Sequence, residues 1–397
     1  MNSLRFIGFS DVELERRIES LKAKIRSWAE HNELWGDCCF KSWAEHYNDE
    51  PPQCPCALLL RGPLFHKLRE RGRAELLDEF AQLVAKTDFH LEFADDATAS
   101  FSVVDNEELA HAYRDYYEWR WILDLIKPDY CDLYHEIYER FKRKPSDLHS
   151  LEWRQFEQLL DAIFRNNGYT TKLGLGSDDG GVDLRLYSND IIGEAVTLVQ
   201  AKRYSKSRPI KLEAVQALCG AVEDERANRG LFVTTSRYLS SAQKFAARHN
   251  HRIELATSSH VQEWCDFAAK RIIRDKSTLL SPQYIKSVLE GKVTGGLIGK
   301  VFHASTGCTM IKNEFAVVVK ESKGAALLVK LPSITKNGKR TLTGFHIPAL
   351  DASRGLNGET VFRAKKGETK AGMVSLRGDR KYFTLWDGSP QYFDYCD

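Results

Sequence analysis

Apolar residues in the first third of the chain recur every three or four positions, which is the spacing of one helix face. The first such run contains Leu14, Ile18, Leu21 and Ile25. A second covers about residues 70–86, and a third begins at Glu107 and continues towards residue 126. The pattern predicts a helical N-terminal domain, residues 1–145.

The pattern changes near residue 146, where strand-like and helix-like runs begin to alternate. A half-buried strand is followed by a turn at residues 188–190, and a more continuously apolar central strand comes next. Helix, buried strand and helix follow in turn. This alternation predicts a mixed sheet flanked by helices over residues 146–275. The runs on which it depends are Val182–Leu186, Val196–Gln200, Lys211–Val222, Leu231–Thr235 and Ser240–His249.

From about residue 281 the chain consists of short strand-like runs separated by glycine- and lysine-rich turns. Many short strands of similar length are typical of a small β-barrel. The whole chain is therefore predicted to be a multidomain α+β protein whose third domain, residues 281–397, is all β. The strand-like runs are Phe315–Val319, Ala326–Lys330, Thr341–Phe345, Glu359–Phe362, Met373–Leu376 and Tyr382–Trp386.

The composition is that of an ordinary globular protein, with 43% hydrophobic and 28% charged residues among 397. No apolar run approaches the roughly 18 residues that a membrane helix needs, and the first residues do not resemble a secretory signal. Nine cysteines, an odd number spread over a long chain, do not resemble a secreted disulfide framework. These features predict a cytoplasmic protein with reduced thiols and no membrane contact.

One group of cysteines and histidines invites a zinc interpretation. The spacings within the cysteine pairs are shorter than the usual gap between zinc ligands, so buried thiols beside a proline-rich connection are the alternative that we favour. The residues concerned are His31, Cys38, Cys39, His46, Cys54 and Cys56.

Charge is distributed unevenly, although the net charge is only +2. Lys and Arg minus Asp and Glu gives −8 for residues 1–145, +1 for 146–275 and +9 for 276–397. A basic terminal domain favours contact with nucleic-acid phosphates, because neutralising them releases counterions; a solvated lysine surface is the alternative. The acidic first domain is interpreted as a scaffold, a protein-partner surface or an inhibitory element.

Three polar residues on neighbouring predicted strands form a plausible phosphodiesterase site. Asp183 can hold a hard cation, and Gln200 and Lys202 project to the same side of one strand because they are two residues apart. Gln200 is a neutral ligand, so a further acid is needed from elsewhere, and Glu157 on a preceding helix is the candidate. The ordinary interpretation of each residue alone is a turn aspartate, a solvent-facing Gln and Lys, and a solvated glutamate.

A basic stretch follows the strand that carries Lys202. Its positive side chains are predicted to grip the substrate backbone, and Thr234, Thr235 and Ser236 are placed to add hydroxyl contacts to phosphate. Simple solvation of the stretch is the alternative. The basic residues are Arg203, Lys206, Arg208 and Lys211.

Several segments in this order resemble the catalytic domain of Mrr-type restriction endonucleases, over about residues 148–265. The resemblance rests on the segments Phe156–Leu160, Asn167–Tyr169, Gly174–Leu184 (which includes Asp178 and Asp179), Gln200–Tyr204 and Gly230–Ser236. This family is a branch of the PD-(D/E)xK nucleases in which Gln often replaces the acid of the last pair. The resemblance implies a restriction-endonuclease-like α/β core, with Asp183 and Gln200 as metal ligands, Lys202 as the remaining core residue and Glu157 as the helix-borne acid.

The predicted function is therefore a Mg²⁺-dependent DNA endonuclease, with Mn²⁺ as the alternative ion, of a restriction or anti-phage kind. Its predicted partners are double-stranded DNA, phage or modified, a second copy of the chain in a homodimer or higher oligomer, and a protein at the N-terminal region. Two other functions stay open: an effector nuclease activated by a partner or signal, and a catalytically silent nucleic-acid-binding protein. In Mrr-type enzymes a separate domain usually selects the DNA and often precedes the catalytic domain, whereas here the basic domain comes last.

Overall fold

The computed structural model divides the chain into two compact units, an N-terminal unit of residues 1–121 with 377–380 and a second unit of residues 122–376 with 381–397. The predicted division into three domains stays a prediction. The structure describes residues 8–46, 51–70, 74–95, 97–127, 130–174, 176, 181–190, 193–307, 310–336, 342–351, 361–369 and 372–396.

Helices dominate the N-terminal unit, as the apolar spacing predicts. They are α1 (Asp11–His31), α2 (Trp43–His46), α3 (Gly62–Lys67), α4 (Ala74–Ala85) and α5 (Glu107–Leu125), which extends into the second unit. Ser10 caps α1 by accepting a hydrogen bond from the Glu13 amide, and Leu14, Ile18 and Leu21 are buried on one face. Tyr113 on α5 is 2% exposed and belongs to the core of this unit.

A four-stranded antiparallel sheet completes this unit, and the sequence did not indicate it. Its strands are β1 (Cys39–Lys41), β2 (Ala57–Leu59), β3 (His90–Asp95) and β4 (Thr98–Ser102), in the order β1-β2-β4-β3. Strands β1 and β2 have three residues each, which is too few for an alternating pattern to stand out. They form by pairing with segments that are distant in the chain.

The cysteines near this sheet are thiols. Cys54 donates to the Cys56 carbonyl at 3.2 Å, and burial raises the pKa of each of these two thiols to about 12. Within the described part of the chain, no three His, Cys, Asp or Glu side chains form a group that could hold a metal ion. Cys54 and Cys56 are thus buried thiols, at 7% and 1% exposure.

The second unit contains a five-stranded mixed sheet in the order β5-β6-β7-β8-β9. Strands β5 (Thr170–Leu173), β6 (Leu184–Asp190) and β7 (Gly193–Lys202) are antiparallel neighbours, whereas β8 (Arg229–Thr234) and β9 (Ile253–Ala256) run parallel to β7. The turn predicted at residues 188–190 is wrong, because the ladder of β6 with β7 continues until Asp190 lies opposite Gly193. A strand end need not be buried, so polar residues are tolerated there.

Helices flank this sheet, in agreement with the predicted mixed α/β core. Helix α6 (Glu136–Arg143) precedes a 3-10 turn at Pro145–Ser150. The helices that follow are α7 (Trp153–Asn166), α8 (Leu212–Asp224), α9 (Ser240–Arg248), α10 (Ser258–Leu279) and α11 (Pro282–Leu289). Of these, α7 packs on β5, β6 and β7, α8 packs on β7 and β8, and α9 packs on β9.

The predicted β-barrel is present as a closed barrel of six strands around buried Phe302, Val318 and Phe383. A separate three-stranded sheet accompanies the barrel. The strands are β10 (Val301–Thr306), β11 (Lys312–Glu321), β12 (Ala325–Leu331), β13 (Ser333–Thr335), β14 (Thr343–Pro348), β15 (Val361–Glu368), β16 (Val374–Gly378), β17 (Lys381–Leu385) and β18 (Gln391–Asp394); β13, β14 and β18 form the separate sheet. Among the described residues, no helix is long and apolar enough to cross a membrane.

An ion pair between a buried arginine and a half-buried aspartate fixes α6 to the 3-10 turn that leads into the central sheet. The Arg140 side chain is 2% exposed, and its Nη2 lies 2.6 Å from Oδ2 of Asp147, whose side chain is 21% exposed. Removing Arg140 takes away both the neutralising partner of the aspartate and the packing of the arginine side chain. We expect Arg140→Ala to lower the free energy of unfolding by about 2 kcal/mol, measured by urea titration.

Arg248→Ala is the matched control for this change, because Arg248 also lies in the last turn of a helix, α9, and is exposed. Its loss should alter stability by no more than about 0.5 kcal/mol. Equal stabilities for the two variants would contradict the structural role of the Arg140 pair.

Candidate active site

Asp183 lies just before β6 and is held against the end of β7 by two hydrogen bonds. Its amide donates to the Val199 carbonyl at 2.9 Å, and its Oδ2 accepts from the Ala201 amide at 2.6 Å. The side chain is buried, with 6% of the residue exposed. Backbone pairing thus fixes one carboxylate oxygen beside Gln200 and Lys202, the neighbours of Ala201.

Gln200 lies in the central strand with 8% of its surface exposed. Its Oε1 is buried and has no hydrogen-bond partner among the described residues, which is costly for a polar atom unless a ligand completes it. Its Nε2 lies close to Gly181, where a Cβ atom would approach it to 3.0 Å. Gly181 also has a φ of 81°, so glycine is required there for both conformation and space.

Lys202 ends β7 and points its ammonium group towards Asp183. The Nζ lies 3.9 Å from Asp183 Oδ2 and the side chain is 32% exposed. The Thr234 hydroxyl on β8 donates to the Lys202 carbonyl at 2.8 Å, which fixes the backbone at this strand end. The cation can therefore reach solvent, where a phosphate could approach, while staying beside the carboxylate.

Glu157 comes from α7 and is almost fully buried, at 3% exposure. It hydrogen bonds to Asp183 and accepts from Arg154 Nη1 at 2.9 Å. Burial, reinforced by the negative charge of Asp183 and only partly offset by Arg154, raises the pKa of Glu157 to about 7. The structure thus brings this helix-borne acid together with Asp183, although an amphipathic helix alone suggested a solvated glutamate.

Arg154 was not singled out from the sequence, yet it organises this end of the site. Its Nη2 donates to the Gly174 carbonyl at 2.9 Å while Nη1 holds Glu157. The signal that could have found it is the spacing of three residues between Arg154 and Glu157, which places both on one helix face. Asp178 and Asp179, in the glycine-rich segment, lie outside the described residues.

The donor set fits a hard divalent cation. Asp183 and Glu157 offer carboxylate oxygens, and Gln200 offers the amide oxygen that lacks a partner. Mg²⁺ prefers oxygen ligands and usually keeps several waters, so one or two carboxylates with one neutral oxygen are enough. A bound cation would relieve the repulsion between the buried carboxylates of Asp183 and Glu157.

The four predicted DNA-gripping residues differ in their surroundings, and their role stays a prediction. Arg203 is half-buried and donates to the His149 carbonyl at 3.3 Å, whereas Arg208 is exposed and stacks over the Tyr204 ring at 4.0 Å. Lys211 is exposed at the N-cap of α8. Lys206 is also exposed and lines a pocket beyond the end of β8.

Part of the chain matches a known protein family. Residues 148–265 match the restriction endonuclease family model Mrr_cat. These residues are an Mrr-type restriction endonuclease domain. The resemblance stated from the sequence is thereby confirmed, with the same boundaries.

Two curated relatives match parts of the chain. An uncharacterized protein, y4cE, of Sinorhizobium fredii (strain NBRC 101917 / NGR234) is 26% identical over 152 residues, covering 38% of this chain and 38% of the relative. The type IV methyl-directed restriction enzyme EcoKMrr of Escherichia coli (strain K12) is 39% identical over 71 residues, covering 18% of this chain and 22% of that enzyme. The chain thus spans less than two fifths of the length of either relative.

Among solved structures, the MspJI restriction endonuclease in complex with a 27-mer oligonucleotide is similar to part of the chain, at 22% sequence identity. The match covers 34% of this chain and 30% of that chain, with a TM-score of 0.23.

Proposed function

We propose that the Mrr-type domain is a Mg²⁺-dependent endonuclease that hydrolyses phosphodiester bonds in DNA. The observation that carries the proposal is the buried oxygen cluster of Asp183, Glu157 and the unpartnered Gln200 Oε1, with the Lys202 ammonium beside it. Lone residues of these types are common, but a buried amide oxygen without a hydrogen-bond partner is costly, and a cation held by the two carboxylates would supply the missing partner.

Each side chain has a distinct task in this proposal. When bound, Mg²⁺ or Mn²⁺ would supply Lewis-acid polarisation of the phosphate and a more acidic water. Asp183 and Glu157 hold the cation as carboxylates, Gln200 adds a neutral oxygen, and Arg154 stabilises the charged form of Glu157. Lys202 places a positive charge 3.9 Å from Asp183 Oδ2, beside the site where the cation would be held, and would stabilise negative charge that develops on the phosphate.

The choice of DNA belongs to the rest of the chain in this proposal. The basic terminal region carries a net charge of +9, and we assign it to recruiting double-stranded DNA by phosphate contact. EcoKMrr is named a methyl-directed enzyme, and modified or phage DNA is accordingly one substrate to test here. We assign the acidic N-terminal region to binding a protein partner. We expect a second copy of the chain to take part in double-strand cuts. We also expect the enzyme to act in the cytoplasm.

Cleavage of DNA by the full-length protein tests the proposal. We expect supercoiled plasmid or phage DNA, with and without base modification, to be cut with Mg²⁺ or Mn²⁺ and left intact with EDTA. Mapping the product ends on modified and unmodified DNA identifies the substrate. No cutting on any DNA, even with lysate from phage-infected cells, would contradict the proposal, whereas cutting only with lysate would support the partner- or signal-activated alternative.

A further inference from the structure

A pocket of about 550 Å³ lies at the carboxyl ends of β8 and β9 in the second unit. It is bordered by the 3-10 turn at Pro145–Ser150, by the loop after β7 and by the start of α10. The carboxyl ends of parallel strands are a common place for ligand sites in α/β sheets. The pocket does not include any of the four proposed active-site residues, Asp183, Glu157, Gln200 and Lys202.

The lining of this pocket is strongly positive. Arg143, Lys144, Lys206 and Arg237 all border it, and none of its lining residues, every one of which the structure describes, is acidic. A concavity that is bordered by cations and by no acidic residue attracts anions and raises their local concentration.

Backbone amides at the start of a helix complete the lining. Thr235 and Ser236 follow β8 and donate their hydroxyls to backbone carbonyls, whereas Thr257 is the N-cap of α10, a helix of 22 residues with no acidic residue in its first turn. The Ser258 hydroxyl donates to the Thr235 carbonyl at 3.0 Å and fixes the helix start to the strand end. The capping box takes up the third amide of the helix, and the two amides before it favour an anion, which adds to the attraction of the cations.

The pocket wall is bonded directly to the end of the strand that carries Lys202. Thr235 Oγ1 donates to the Tyr204 carbonyl at 2.7 Å and accepts from the Tyr204 amide at 2.9 Å. On the preceding residue, Thr234 Oγ1 donates to the Lys202 carbonyl at 2.8 Å. A group held in the pocket is therefore placed at a fixed position relative to the proposed catalytic lysine.

We propose that this pocket binds a backbone phosphate of the substrate DNA, close to the phosphate that is cut; the inference rests on the proposed function and deepens it. Four cations border the pocket, and the stacking surface that it offers is limited to the His149 ring beside Pro145. A free nucleotide would need an apolar or stacking surface for its base, whereas a backbone phosphate needs charge and hydrogen-bond donors alone. The pocket is thus a second anchor that sets the register of the strand on the active site.

DNA binding by the full-length protein, measured in EDTA so that cleavage plays no part, tests this assignment. The variant is Lys206→Gln with Arg237→Gln, both exposed cations of the pocket. We expect affinity for duplex DNA at 0.15 M salt to fall about tenfold, because charge-assisted contacts to phosphate are lost. The slope of log K against log salt should become shallower by about 1, as loss of one phosphate contact requires.

The matched control is Lys244→Gln with Arg248→Gln, which removes the same charge from α9, whose lysine and arginine are exposed and do not line the pocket. We expect its affinity to stay within twofold of wild type. Thermal unfolding of both variants checks that each is folded. Equal losses in the two variants, or none in the pocket variant, would overturn the assignment.

Competition separates a DNA phosphate from a small free anion. Inorganic phosphate and a mononucleotide are titrated against DNA at constant ionic strength. If either binds wild type but not the pocket variant, while both proteins bind DNA equally, the pocket serves a free anion and the proposal is wrong. If the pocket variant loses DNA affinity but wild type never cuts with Mg²⁺, the anchor stands and the nuclease assignment fails.

Discussion

Asp183→Asn is expected to lower Mg²⁺-supported DNA cleavage by about a thousandfold or more and to abolish measurable Mg²⁺ binding. The substitution keeps the shape of the side chain and an oxygen that can accept from the Ala201 amide, a bond of 2.6 Å in the native site. It removes the negative charge that a hard cation requires. Single-turnover cleavage and isothermal titration with Mg²⁺ measure the two losses separately.

Lys202→Ala should lose cleavage about a hundredfold or more and retain Mg²⁺ binding, because the lysine is a charge-stabilising residue and not a ligand. Lys172→Ala, an exposed lysine on β5, is the matched control and should cut at the wild-type rate. If Lys202→Ala cuts DNA at the wild-type rate, Lys202 has no part in the mechanism.

If Asp183→Asn binds Mg²⁺ as tightly as wild type does, Asp183 is not a ligand of the cation.

The sequence predicted those parts of the fold whose signal is local. The i, i+3 and i, i+4 spacing of Leu14, Ile18 and Leu21 predicts α1 because one face of a helix is repeated along the chain. The strands β1 and β2 carry no such repeat, since three residues cannot show an alternation, and they form only because distant segments pair with them. Closure of the barrel between β10 and β17 is likewise a non-local pairing that no local pattern specifies.

The candidate site also has a part that the sequence predicts and a part that depends on tertiary packing. Gln200 and Lys202 share one side of a strand by the period of two, so their proximity follows from the sequence. That Glu157 is buried beside Asp183 depends on the packing of α7 against β6 and β7, which the sequence does not fix. Arg154 and the pocket at the ends of β8 and β9 arise from residues far apart in the chain, and they could be recognised only in three dimensions.

The Glu157→Gln variant should separate stability from activity. The raised pKa, about 7 against an ordinary value of 4.5, means that the folded metal-free protein binds this proton more tightly than the unfolded chain. The stabilising contribution of protonated Glu157 is therefore complete below pH 4.5 and lost as the pH rises through 7. Gln imitates the protonated form, so the variant should be more stable than wild type at pH 8 by about 2 to 3 kcal/mol and similar at pH 4.5.

Urea unfolding in EDTA at the two pH values measures this difference. Added Mg²⁺ should stabilise wild type at pH 8, because binding needs the carboxylate and relieves its repulsion with Asp183, and should stabilise the Gln variant much less. Cleavage by the variant should fall at least about a hundredfold in the same buffer. A variant that is less stable than wild type at pH 8 in EDTA would show that Glu157 is a structural carboxylate, whose burial serves the core and not a cation.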